Sequence, residues 1–265
     1  MSLLALCVML FATAPARPQV PQTPQELVTI MIDNENAAAA KHERYEYLSN
    51  ERSDRTGGHL WTERVVETAP GRLRLLLAID GKPLAPDRAQ QERARLQNIH
   101  DHPESFIRHE QGARVEERRF REMMDVLPHD FIFENIVLDN GKWRMSFRPN
   151  PGYKPNGIEE RVLHNMAGKL VIDAREMRLI HMDFQLVQEV SIGFGLLADI
   201  HTGSSFVTDR QEIDGHWHTM HLATVVHAKA AVFKSVDLNI DVYRSEFQPL
   251  DHDYSVPDAA SLLLR

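Results

Sequence analysis

The sequence predicts an α+β protein built mainly on antiparallel sheet, and three observations predict it. Apolar and polar residues alternate with period two along several separate stretches, the pattern of strands with one apolar and one wet face. Continuous apolar strands separated by helices, the mark of a parallel nucleotide-binding sheet, are absent. A capped amphipathic segment precedes the strands and a charge-rich helical segment interrupts them. The 265 residues are 43% hydrophobic and 26% charged, with 13 Gly and 14 Pro. That composition suits a globular chain with a sizeable core, and excludes a disordered, collagen-like or multi-span membrane protein. A net charge of -8 argues against nucleic acid and anionic membrane as partners. The single cysteine, Cys7, excludes an intramolecular disulfide, a cysteine zinc cluster and a CxxC redox site.

Each element follows in order. Leu3 to Ala12 is an uninterrupted apolar run, and Ala14-Pro15-Ala16 suits cleavage after Ala16. Residues 1–16 therefore read as an export signal, shorter than the ~20 residues a membrane-spanning helix needs. The alternative is an ordinary buried N-terminal segment. Leu6 lacks the small side chain of a lipoprotein cleavage box, so lipid attachment is not expected. Residues 17–22 read as a linker. Thr23-Pro24-Gln25-Glu26 is a helix start, with Thr23 as cap, Pro24 at the first helical position and Glu26 completing a capping box. The helix is predicted to reach about Lys41, with Leu27, Ile30, Met31, Asn34 and Ala38 on one face.

Tyr45, Tyr47 and Trp61 lie in an opening pair of strands around the turn Thr56-Gly57-Gly58. Leu73, Leu75, Leu77 and Ile79 alternate with Arg72, Arg74, Leu76 and Ala78, and Asp80-Gly81 marks a turn. From Asp87 to Asp125, arginines such as Arg88, Arg95, Arg114 and Arg121 are balanced by Glu92, Glu104, Glu110 and Glu122. Two surface helices, broken at His100-Asp101-His102-Pro103, are predicted there, inserted in the sheet at about residues 85–127. Trp143, Met145 and Phe147 begin a new alternating strand; Ile180, Met182, Phe184 and Leu186 form another. Val232, Val236, Leu238, Ile240 and Val242 form a third, opposite Ser235, Asp237, Asn239 and Asp241. Residues 23–250 thus read as one domain, with 251–265 as a C-terminal tail.

Chemistry-bearing motifs are sparse. His216 and His218 would share one face of a strand about 7 Å apart, a spacing that two-ligand metal sites use, but His221 would face the other way. His100 and His102 have the same spacing in a loop with no acidic partner motif. There is no H-E-x-x-H, G-x-S-x-G or phosphate-binding glycine loop. Ser191-Ile192-Gly193-Phe194-Gly195 lacks the third glycine and the lysine, so its glycines read as strand bends. No catalytic residue, metal ligand or cofactor is assigned, and a non-enzymatic protein is expected.

Stretches from Phe147 onward carry a resemblance. They are Phe147-Arg148-Pro149-Asn150-Pro151-Gly152-Tyr153-Lys154-Pro155, Met166 to Asp173, Gly193 to Ala198, Gly203-Ser204-Ser205-Phe206 and Ala231-Val232-Phe233-Lys234-Ser235. With the element order, they resemble the periplasmic lipoprotein-carrier and lipoprotein-localisation superfamily, and within it the envelope proteins labelled outer-membrane lipoprotein-sorting proteins. The resemblance implies a strongly curved antiparallel half-barrel with helices covering its concave face. It also implies a periplasmic protein that receives lipid or lipoprotein acyl chains. Leu75, Leu77, Met145, Phe147, Met182, Phe184 and Leu186 are then the expected cavity lining. The charged insertion departs from a minimal carrier. It suggests a second reading, an envelope sensor that docks a protein partner through this segment. A metal-dependent hydrolase using His216 and His218 is a third.

Overall fold

A computed structural model describes residues 23–41, 43–192, 198–230 and 234–265. The predicted export signal and linker lie outside the described residues, as do Gly193 to Leu197 and Ala231 to Phe233 from the resemblance stretches. Helix α1 (Pro24–Ala39) starts with the predicted capping box: Thr23 Oγ1 accepts from the Glu26 amide at 3.2 Å, and the Glu26 carboxylate accepts from the Thr23 amide at 3.2 Å. Strand β1 (Tyr45–Ser53) leads through a 3-10 turn, Asp54–Thr56, into β2 (Trp61–Glu67), β3 (Arg72–Ile79) and β4 (Lys82–Pro83). Helices α2 (Pro86–Asp101), α3 (Pro103–Met124) and α4 (Leu127–Asp130) follow. Then come β5 (Phe131–Asp139), β6 (Lys142–Pro149), α5 (Gly157–His164), β7 (Met166–Asp173) and β8 (Leu179–Leu186). The chain continues with β9 (Val190–Ile192), β10 (Ala198–Ile200), β11 (Ser205–Ile213), β12 (His216–Ala230), β13 (Lys234–Pro249) and α6 (Val256–Leu264).

Among the described residues the strands form one 13-stranded antiparallel sheet. Its main path runs β4-β3-β2-β1-β13-β12-β11-β8-β7-β6-β5, and β9 and β10 extend it along β12. The sheet is not closed: β4 and β5 end its main path, and β9 is a further edge. Asp80-Gly81, Asn140-Gly141 and Asp214-Gly215 turn three hairpins, each pair with positive φ at both positions, the geometry that matches the twist of the flanking strands.

Register assigns every side chain to a face. Met145, Leu170, Met182, Thr208, Leu222, Val242, Glu51 and Trp61 are successive cross-strand neighbours from β6 to β2 and so share one face. His181, Asp209, His221, Tyr243, Asn50 and Thr62 form the corresponding row on the other. Two apolar cores sit on opposite faces. The larger unites Leu27, Val28, Met31 and Ile32 of α1 with Leu127, Phe131, Phe133, Met145, Phe147, Leu170, Met182 and Phe184. The smaller unites Val66 and Leu73 with Leu96 of α2 and Val256, Ala259, Ala260 and Leu263 of α6.

Three expectations change. Val28 and Ile32, rather than Ile30 and Ala38, complete the buried face of α1. The apolar face of β3 does not run as expected: Leu73 and Leu76 are buried on opposite faces, Leu75 is half-buried, and half-buried Leu77 is a bulge where pairing with β2 shifts between Thr62 and Glu63. Residues 251–265 are not simply a tail, since they carry α6. Ser255 caps that helix, its hydroxyl accepting from the Asp258 amide at 3.3 Å.

Candidate functional site

The face that carries α1 has two regions. The first is an aromatic bed. Phe147 lies edge-on to Phe131 and Phe184, with centroids 4.9 Å away in both cases, and Phe133 lies 6.2 Å from it. Gly168 of β7 makes room for this arrangement, since a β-carbon there would run into the Asp183 carbonyl and the Phe147 ring. Edge-to-face aromatic pairs add to the stabilisation that burial alone provides.

Helix α1 holds to this bed in two ways. Its first half contributes the four buried aliphatic side chains. Its second half is clamped by polar contacts. Glu35 accepts from Arg178 Nε at 2.8 Å and Nη2 at 3.0 Å, from the Leu179 amide at 3.0 Å, and from Arg210. Asn34 donates to the Glu176 and Met177 carbonyls at 3.1 and 3.2 Å, and Trp217 Nε1 donates to the Glu176 carboxylate at 2.6 Å. Burial pushes the Glu35 carboxyl up, but the two arginines outweigh it and hold it below the ordinary carboxylate value. An open groove of about 290 Å³ lies at this clamp, lined by Asn34, Ala37, Ala38, Lys41, Glu176 and Arg178.

Of the seven residues expected to line one cavity, the structure brings Met145, Phe147, Met182 and Phe184 together in the bed. Leu186 is buried on the same strand as Met182 and Phe184, two residues beyond Phe184. Leu75 packs against the other core, on the opposite face, and Leu77 occupies the bulge. The void among Leu127, Phe131, Phe133, Phe147, Leu170, Met182 and Phe184 measures about 10 Å³, room for about one water molecule at most. The bed is therefore filled by its own side chains while α1 is seated.

The second region, on β1, β2, β3 and β13, is polar yet largely buried. Glu51 and Glu63 are 7% and 2% exposed. Arg55, at the 3-10 turn, reaches both, at 2.6 Å to Glu51 and 2.7 Å to Glu63. Arg74 lies 3.1 Å from Glu63 and 3.8 Å from Glu51. Burial pushes the Glu51 carboxyl up, and Arg55, Ser53 and Arg74 bring it below its ordinary value. Charge alternation in the sequence gives no sign of this arrangement, because buried and solvated carboxylates look alike in a period-two pattern.

Several histidines bond acidic side chains or pack against rings. His218 is 6% exposed and stacks on Phe247 at 4.2 Å, with Tyr45 edge-on at 4.6 Å. Burial holds its pKa below the ordinary value. His216 instead bonds Glu43 at 2.8 Å. His100 sits in the last turn of α2 rather than in a loop, and bonds Asp101 at 2.8 Å. On the face opposite the aromatic bed, Asp209 bonds His181 at 2.7 Å and His221 at 3.0 Å, and His221 reaches Asp241 at 2.9 Å. Among the described residues no group of three or more His, Cys, Asp or Glu is arranged to hold a metal ion. Among them, too, no helix is long and apolar enough to cross a membrane. Comparison of the chain with protein-family models, with curated proteins and with solved structures finds no match in any of the three.

Proposed function

We propose that this chain is a non-enzymatic, exported cell-envelope protein that takes an acyl chain of a lipid or lipidated protein onto the aromatic bed beneath α1. On this reading the open sheet is a half-barrel and α1 is its cover. The observation that carries the proposal is how α1 is held. An apolar helix half rests on an apolar bed, and a cluster of hydrogen bonds and ion pairs fastens the other half beside an open groove. Lifting α1 exposes Leu27, Val28, Met31 and Ile32 together with the phenylalanines. An acyl chain laid in their place restores the lost burial at roughly 0.8 kcal/mol per methylene. The ligand thereby offsets the opening it requires, which is how a filled bed serves as a binding site.

Native mass spectrometry and lipid extraction of the protein purified from an envelope test this directly. The expected result is a co-purifying acyl lipid and saturable binding of dodecanol. Protein that is consistently empty and excludes dodecanol, even with the Glu35 clamp removed, would sink the reading.

A further inference from the structure

The polar region of the same face holds a cation that, among the described residues, forms no ion pair. Arg244 lies directly across from Ser49 in the pairing of β13 with β1, and its guanidinium carbon sits 5.7 Å from the centre of the Tyr47 ring. Among the described residues it makes no ion pair or hydrogen bond to protein. The carboxylates nearby are already committed: Glu51 and Glu63 serve Arg55 and Arg74, and Glu67 lies 3.6 Å from Arg72. Four guanidiniums, of Arg55, Arg72, Arg74 and Arg244, thus share this patch with three carboxylates.

Two further groups on this patch lack partners. Tyr47 and Ser49 are 2% and 1% exposed, and the hydroxyl oxygens of both are buried without any hydrogen bond among the described residues. A buried hydroxyl left unbonded costs about 1–3 kcal/mol, so native proteins pair such groups with protein, water or a ligand. An unbonded guanidinium over the ring of Tyr47 and across the strand pair from Ser49 leaves these three groups with donors for an acceptor that is not protein. Burial lowers the Arg244 pKa, Tyr47 and Glu67 oppose that, and Arg72 and Arg74 add to it. An anion placed there would relieve the repulsion among the arginines.

We propose that Arg244, Tyr47 and Ser49 form a binding site for one oxyanion, a phosphate or carboxylate group. The guanidinium supplies charge-assisted, paired hydrogen bonds and the hydroxyls supply the remaining donors. This goes beyond acyl binding under α1 and stands without it, because the observations lie on different strands. The group can belong to a free anion or to the head of an amphiphile.

Titration calorimetry of the full chain with inorganic phosphate, dodecanoate and uncharged dodecanol separates these cases. Phosphate binding that weakens about tenfold or more in Arg244→Met, and severalfold in Tyr47→Phe, supports a free-anion site; such factors correspond to loss of one charge-assisted contact and one neutral contact. Dodecanoate binding with that same Arg244 dependence, without phosphate binding, supports a head-group site. Tyr47→Phe keeps the ring beneath the guanidinium, so it guards against a folding defect in Arg244→Met. The proposal is overturned if neither anion binds, or if whichever anion binds does so equally well to wild type, Arg244→Met and Tyr47→Phe. Dodecanol reports on the acyl bed alone, so either reading can fail without the other.

Discussion

Two regions of one sheet face solve burial in opposite ways. Beneath α1, Phe131, Phe147 and Phe184 fill the space and need no partners beyond van der Waals contact. Three strands beyond β11, the same face carries Glu51, Glu63, Arg55 and Arg74, whose positions depend on one another. On the proposed reading, the first region exchanges one apolar occupant for another, and the second is a fixed-charge frame that admits only a group of the right sign.

Substitutions can break this contrast, and the aromatic bed should give the largest effect. Phe147→Ala is expected to cost about 3–5 kcal/mol in denaturant unfolding, since the ring is buried at the centre of the bed and leaves a cavity. Glu63→Gln should cost about 2–3 kcal/mol by the same measurement. It strands Arg55 and Arg74, though their partial exposure holds the loss below that of a fully buried pair.

Glu35→Gln should cost about 1–2 kcal/mol, because it weakens charge-assisted bonds from Arg178 and Arg210 without opening a cavity. The same clamp has a pH signature. The Glu35 pKa is lowered in the fold, so its contribution is complete above the ordinary value of 4.5 and is lost as pH falls through the lowered folded value. His218 acts in a higher window. Its folded pKa is depressed, so the unfolded chain binds the proton more readily and stability declines as pH drops below 6.5. Urea titrations at a series of pH values should show that decline in wild type and a weaker one in His218→Phe. The smallest effect belongs to Tyr47→Phe. Among the described residues its hydroxyl bonds to no protein group, so the substitution should change unfolding free energy by less than about 1 kcal/mol and can raise it.

Local signals in the sequence carry much of this architecture. Thr23-Pro24-Gln25-Glu26 marks the start of α1, Asp80-Gly81 and Asp214-Gly215 mark hairpins, and alternation through Met145-Phe147 and Met182-Phe184 marks half of the aromatic bed. Helix α6 has its own signal, in Ser255 as cap and the spacing of Val256, Ala259, Ala260 and Leu263, though residues 251–265 read more simply as a tail. Other features depend on partners distant in sequence. The bulge at Leu77 comes from pairing with β2, and the same pairing sets Leu75 opposite Arg64, on the face away from the bed. Arg244 and Ser49 become neighbours only through the pairing of β13 with β1. A buried Glu63 has the same one-letter signature as a solvated one, so composition places it on a wet face.

Hydrogen exchange along α1 tests the central claim, that this helix is a separable cover over an apolar bed. The account predicts that α1 amides open at a lower free energy than those of β6 and β7, that Glu35→Gln speeds α1 exchange alone, and that dodecanol changes exchange in α1 first. Exchange of α1 only together with β6 and β7, unchanged by either Glu35→Gln or dodecanol, would contradict it.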